Sequence, residues 1–206
     1  MSEEKEEDLL VDREEYLANG VHIGTKAQHD SMEKYIFHVK KNQLAILNLE
    51  DTDQRIRKAA KFLAKYDPEE ILVVGRKEAA RKPINKFSEA TGAETITGRF
   101  MPGTLTNPKS ENFVEPEVVL VTDPEEDKQA IDEAVDTHIP VVGIVDSESN
   151  IENIDLAVPA NNKAGNSIGM VYYLLAREIL KQKEEELTIE LDEFQPETEE
   201  KEEPEE

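Results

Sequence analysis

The sequence has no cysteine, which excludes disulfides, thiolate catalysis and cysteine-ligated zinc. No apolar run approaches the roughly 18 residues of a membrane span. The opening Met1-Ser2-Glu3-Glu4-Lys5 has neither the basic nor the apolar region of a secretory signal. The expectation is a soluble, cytoplasmic protein with no membrane partner. Glycine-rich phosphate loops are also missing. The apolar run 44–49 is followed by Glu50-Asp51-Thr52-Asp53, which has no glycine and carries negative charge that repels a phosphate. The run 71–74 is followed by Gly75-Arg76-Lys77-Glu78, with a single glycine. Neither Ser31 nor Ser167 stands in a nucleophile elbow, and His22, His29, His38 and His138 lack zinc spacing. His138 is expected to extend the apolar face of its helix. No cofactor, no small-molecule substrate and no catalysis are expected.

Basic residues are scarce as well. Lys and Arg number 24 against 47 Asp and Glu, for a formal net charge of −23. Taken whole, that balance argues against a nucleic-acid partner, whose binder should be basic. The charge is unevenly placed, however. Residues 1–19 hold 8 acids and 2 bases, and residues 184–206 hold 13 acids and 1 base. The body between them is nearly balanced, with 26 acids and 21 bases. Its first part, 20–115, has 16 bases to 13 acids, whereas 116–183 has 5 to 13. Acidic tails on a mildly basic front half reopen nucleic acid as a partner.

The 206 residues suffice for one domain with a sizeable core. Residues 1–8, mostly Glu, are expected to be disordered. A short helix through Leu9, Leu10, Tyr16 and Leu17 ends at Asn19-Gly20. Residues 20–42 read as irregular structure or a hairpin. From there strand and helix alternate. Apolar runs at 44–49, 71–74, 118–121, 141–145 and 156–158, and the short stretch 94–97, read as strands. Helical spacing appears through Ile56, Ala59, Ala60 and Leu63, capped by Asp51 with Gln54 as reciprocal partner. It recurs through Ala80, Ile84 and Phe87, with Pro83 either near the start of that helix or kinking it. It recurs again through Ala130, Ile131, Ala134 and Val135, opened by Asp123-Pro124. The last helix, 167–183, turns Ile168, Val171, Tyr172, Leu175 and Ile179 inward.

Short unbroken Val/Ile runs between amphipathic helices mean a parallel sheet covered on both faces. The fold class is therefore α/β, a three-layer doubly wound flavodoxin- or Rossmann-like domain. The strand at 44–49 is expected beside 118–122, with the switch point between them. The single domain is bounded at 9–186. Residues 187–206, with few apolar side chains, are expected to form a mostly disordered tail.

A competing chemistry is a magnesium site built from Asp51, Asp53, Asp123 and Asp146 at strand ends, with Lys163 beside it. The plainer reading makes Asp51 and Asp123 helix caps and lets Asp146 start a turn. Likewise Gly165-Asn166-Ser167 is read as an ordinary helix start rather than an anion site. Two segments exceed scaffold duty. Residues 20–43 interleave Lys26, His29, Lys34, His38, Lys40 and Lys41 with Tyr35 and Phe37, which suits either base stacking or a core-anchored loop. Residues 98–109 form a long Pro- and Gly-shaped loop carrying Arg99 and Lys109, and loops that long are usually functional. The helix after residue 53 also carries Arg55, Arg57, Lys58, Lys61 and Lys65, normally just a solvated face.

Several motifs in register resemble one family. They are Gly20-Val21-His22-Ile23-Gly24, Met32-Glu33-Lys34-Tyr35-Ile36-Phe37 and Leu47-Asn48-Leu49. Then come Gly98-Arg99-Phe100-Met101-Pro102-Gly103-Thr104-Leu105-Thr106-Asn107, Thr122-Asp123-Pro124, Val158-Pro159-Ala160-Asn161-Asn162-Lys163 and Leu175-Ala176-Arg177-Glu178. Together they resemble the second protein of the small ribosomal subunit, whose eukaryotic member is also called the laminin receptor precursor. The Gly-Arg-Phe-x-Pro-Gly-Thr wording is similar to the archaeal and eukaryotic branch. The resemblance spans about residues 9–183. It implies a non-catalytic protein that binds small-subunit ribosomal RNA and neighbouring ribosomal proteins. RNA contact is then expected from Lys26, His29, Lys34, Lys40, Lys41, Arg99 and Lys109, supported by Arg76, Lys77, Arg81 and Lys82.

Overall fold

The structure, a computed structural model, describes residues 9–196. Seven strands are β1 (Ile36–Val39), β2 (Ala45–Leu47), β3 (Ile71–Gly75), β4 (Glu94–Thr97), β5 (Val118–Val121), β6 (Val141–Val145) and β7 (Leu156–Pro159). Six helices are α1 (Arg13–Ala18), α2 (Leu49–Leu63), α3 (Glu78–Thr91), α4 (Lys128–Asp136), α5 (Gly165–Gln182) and α6 (Leu191–Phe194). A 3-10 turn covers Asp30–Tyr35.

The main sheet has the order β4-β3-β5-β6-β7, and all four pairings are parallel. Its strands are apolar on both sides because both sides are covered. Ile71, Val73, Val118, Leu120, Val142 and Ile144 face one layer, built from α2, α3 and α5. Leu72, Val74, Val119, Val121 and Val141 face the other, where α4 packs with Phe100 and Leu105 of the 98–115 loop. Farther along that second face, Met32 and Tyr35 cover Val145 and Ala157. A single helix thus covers only part of the second face, and the two irregular segments complete it.

The architecture is the doubly wound α/β/α fold, but its inner order differs from the expectation. The run 44–49 does not join the sheet. Residues 45–47 pair antiparallel with β1 as a hairpin, and the chain enters α2 directly afterwards. The switch point lies instead between β3 and β5, where the chain leaves β3 first for β4 and then for β5. A buried three-residue run carries no periodicity that separates a hairpin arm from a sheet strand.

Two helix starts also move. Asn48, not Asp51, caps α2, accepting the Glu50 N–H at 3.2 Å and donating to Asp51 at 2.9 Å. Asp51 sits in the first turn, where its charge suits the helix dipole. Helix α4 begins at Lys128 rather than after Asp123, because two carboxylates hold the preceding backbone in a turn. Asp123 accepts from the Glu125 N–H at 3.0 Å, and Asp127 accepts from the Asp123 N–H at 3.0 Å and the Arg76 N–H at 2.9 Å. Val135, expected inward on α4, is 42% exposed. His138 lies beyond the helix end, exposed, with φ +61°, a conformation His tolerates better than most residues.

The packed chain runs past the expected boundary at 186. Leu187, Ile189 and Leu191 pack on the main core, and Phe194 is fully buried with its ring edge-on to Tyr173 at 5.7 Å. Gly169 permits this docking, since a Cβ there would meet the Phe194 carbonyl oxygen at 2.6 Å. Lys86 pairs with Glu193 at 3.0 Å and Gln195 donates to Asn19 at 2.7 Å. The alternation of 187–191 does not become a strand; the chain's own α3 and α5 supply the partner. The expected disorder of 1–8 and 197–206 lies outside the described residues.

Candidate nucleic-acid interface

The five parallel strands end on one edge of the molecule. This is where a doubly wound sheet ordinarily takes its ligand. Here the crevice is filled by the protein's own ion pairs. Lys77, just after β3, donates to Asp123, just after β5, and reaches the Asn162 carbonyl at 3.3 Å. Lys163, after β7, donates to the same Asp123 oxygen at 3.2 Å and to Glu148 at 2.7 Å. Burial alone would lower the Lys163 pKa. Glu148 and Asp123 outweigh it and hold the ammonium well above its ordinary value. Thr25 seals the far side, its N–H donating to Ser147 Oγ at 2.9 Å and its hydroxyl to Glu148 at 3.2 Å.

The four carboxylates of the magnesium reading are not brought together. Asp53 accepts from the Leu10 N–H at 2.7 Å, Tyr16 at 2.9 Å and Arg57 at 2.7 Å, tying the N-terminal segment to α2. Asp51 is held by Asn48. Asp123 is neutralised by two lysines. Asp146 accepts from the Ser147 N–H at 2.6 Å, and burial raises it to about 6. Among the described residues no group of three or more Asp, Glu or His is placed to hold a metal ion.

The RNA candidates fall into three places. The first is the carboxyl edge of the sheet. Arg76 is exposed beside Glu126 at 4.0 Å, and Arg99 is exposed just after β4. His29 stands at the same edge, its N–H bonded to the Ser147 carbonyl at 2.8 Å. Its ring caps the 3-10 turn through Ser31, so this histidine builds structure; Lys26 beside it is exposed. Lys77 is turned inward to Asp123, unlike its neighbours. The second place is the hairpin. Lys40 and Lys41 are exposed at the turn joining β1 and β2, and Lys34 lies over the Tyr35 ring at 4.9 Å. Tyr35 itself is buried, so it is the core anchor of the segment, whereas Phe37 is 69% exposed. The third is the flank: Arg81 pairs with Glu78 at 3.6 Å, Lys82 is half-buried on α3, and Lys109 is exposed on the long loop. On α2, Arg57 is engaged by Asp53 and Arg55 also lies over the Tyr35 ring, at 5.3 Å.

One determinant escaped the sequence reading. Glu133 of α4 is buried and gathers the 98–115 loop. It accepts from the Gly103 N–H at 2.7 Å, the Leu105 N–H at 2.9 Å, the Thr106 hydroxyl at 3.3 Å and Gln129 at 2.9 Å. Burial pushes its pKa up, but these donors more than offset it and hold the carboxyl below its ordinary value. Gly103 turns the loop with φ +90°, which favours glycine. The available signal was a glutamate at i+3 from Ala130, on the inward stripe of the helix.

Comparison with known proteins agrees with this arrangement. A family model described as ribosomal protein S2 matches residues 16–113 and 109–182. A small ribosomal subunit protein uS2 of Korarchaeum cryptofilum is 48% identical over 177 residues, covering 86% of this chain and 82% of that relative. One of Methanococcus maripaludis, with the same name, is 46% identical over 176 residues, covering 85% of this chain and 80% of that relative. These relatives are named as ribosomal proteins and not as enzymes, which accords with a strand-end crevice closed by internal ion pairs. On the fold, the matched span and the two archaeal relatives, the chain belongs to the ribosomal protein S2 family.

Proposed function

We propose that this protein is a structural constituent of the small ribosomal subunit in the cytoplasm, binding ribosomal RNA and neighbouring ribosomal proteins without catalysis. One observation carries the reading. The strand-end crevice is self-neutralised, while exposed cations stand outside it on the hairpin turn and the sheet edge. A binder needs cations spread over loops, whereas an enzyme needs polar groups converging on a cleft. Lys26, Lys40, Lys41, Arg76, Arg99 and Lys109 supply the phosphate contacts; His29 and Lys77 hold the backbone that presents them. Lys34, Arg81 and Lys82 stand behind them. The exposed acids of 116–183 away from the sheet edge, such as Asp132 and Asp136 on α4, face protein neighbours, since polyanionic surface repels RNA. The described residues form one domain.

The test is co-sedimentation with small subunits in high-magnesium gradients, followed by a salt wash. The protein is expected to enter the subunit peak and leave as salt rises. Replacing Lys40, Lys41 and Arg99 together by Ala should lower the slope of log affinity against log salt by about 3, one per phosphate contact. Unchanged salt sensitivity in that variant would refute this map of contacts.

A further inference from the structure

A recess of about 230 Å³ opens between α1 and the β1–β2 hairpin. Leu17, Phe37 and Ile46 form its apolar walls, Arg13 and Lys40 supply charge, and His22 also lines it. Three properties set it apart from ordinary surface. Leu17 and Phe37 are 44% and 69% exposed, an unusual outlay of large apolar side chains beside cations. The Phe37 ring stands nearly perpendicular to His38, 77° between planes with centroids 5.3 Å apart, and most of it is open to solvent. Nδ1 of His22 is buried without a hydrogen-bond partner among the described residues. Burial and the nearby Lys40 both lower the basicity of His22, so its ring is neutral at physiological pH.

We infer that this recess receives one unstacked nucleobase of a single-stranded RNA segment, stacked on Phe37, with its flanking phosphates held by Lys40 and Arg13. The inference rests on the RNA-binding reading above and names where a base, rather than only the phosphate backbone, is gripped. Its volume lies below the roughly 300–1,000 Å³ of small-molecule pockets, which suits one planar ring rather than a whole cofactor. Charge selects the class of occupant. Neither Arg13 nor Lys40 is ion-paired among the described residues, in a chain whose net charge is −23. Aromatic rings interleaved with cations are the means by which single-stranded nucleic acid is bound with tolerance of sequence.

The probe is a mixed-sequence RNA eight-mer with a central 2-aminopurine, titrated into the full chain as single strand and as duplex. The single strand is expected to bind more tightly, with its fluorescence quenched as the base stacks. Phe37→Ala should weaken binding roughly 5- to 150-fold and abolish the quench. Phe37→Tyr should keep both, and neither change touches the core. Lys40→Ala should lower the salt slope by about 1, while Phe37→Ala leaves the slope unchanged. Phe37→Ala with wild-type affinity and quench overturns the pocket, even if subunit co-sedimentation succeeds. Preference for the duplex, or no binding of the eight-mer, also overturns it. Failure of co-sedimentation strikes the functional reading separately. If Phe37→Ala leaves the eight-mer bound but releases a ribosomal protein from the subunit, a peptide occupies the recess and the proposal fails.

Discussion

Replacing Glu133 is the sharpest perturbation available, because one buried carboxylate holds a loop that crosses the thin layer of the fold. Its two oxygens accept from Gly103, Leu105, Thr106 and Gln129. A hydrogen bond to a charged group contributes about 1.5–3 kcal/mol net, and leaving a buried N–H unpaired costs about 1–3 kcal/mol. Leu105 is buried and Gly103 half-buried, so the loss falls mainly on the Leu105 N–H. On that basis Glu133→Ala should cost about 3–5 kcal/mol. Glu133→Gln keeps one acceptor oxygen but turns its amide NH2 toward the donors on the other side, so it should still cost about 2–3 kcal/mol. Urea denaturation measures both. Trypsin adds a local readout, since Arg99 and Lys109 flank the anchored turn: cleavage there should accelerate in Glu133→Ala before global unfolding. Acid supplies a third arm. The folded pKa is depressed, so this contribution is complete above the ordinary glutamate value near 4.5 and is lost as pH falls through the folded pKa. Both variants within 0.5 kcal/mol of wild type, with the loop still resistant to trypsin, would refute the reasoning.

Asp123→Asn should cost roughly 2–4 kcal/mol by urea denaturation, because it leaves Lys77 and Lys163 without their shared counter-charge; a helix cap alone would predict about 1 kcal/mol. Burial raises Asp127 and Asp146 to about 6 in the folded protein. The native state therefore binds protons that the unfolded chain releases, and stability from these groups rises as pH falls from 7 toward 4, by up to roughly 3 kcal/mol each. Asp146→Asn should flatten that gain relative to wild type; a parallel pH profile would count against it. Gly169→Ala should free the 187–196 segment from α5, seen as faster cleavage after Glu190 by a Glu-specific protease, while the body stays folded. If cleavage after Glu190 is as slow as in wild type, the close approach of Phe194 is not what seats the tail.

Periodicity sufficed wherever the physical requirement was local. The runs at 71–74, 118–121 and 141–145 are apolar at consecutive positions because both faces are covered, and that reads directly as buried parallel strands. The inward stripe of α5 from Ile168 to Ile179 follows from 3.6-residue spacing alone. Sequence also located the two segments that carry the candidate interface, since long irregular stretches with interleaved cations stand out in any alternating fold. What it could not set was partnership across the chain. The run at 44–49 is as apolar as a sheet strand, and only its pairing with β1 made it a hairpin arm. Lys77 is indistinguishable by composition from Arg76, yet it turns inward because β5 brings Asp123 beside it. Glu133 stands on the inward stripe of α4, but its partners exist only once the 98–115 loop folds over it. Leu187, Ile189, Leu191 and Phe194 are too sparse to order themselves, and they pack because α3 and α5 already present an apolar groove. Local spacing is set by neighbours along the chain, whereas charge neutralisation, loop anchoring and tail docking depend on groups tens of residues apart, which only tertiary structure brings within a few ångströms.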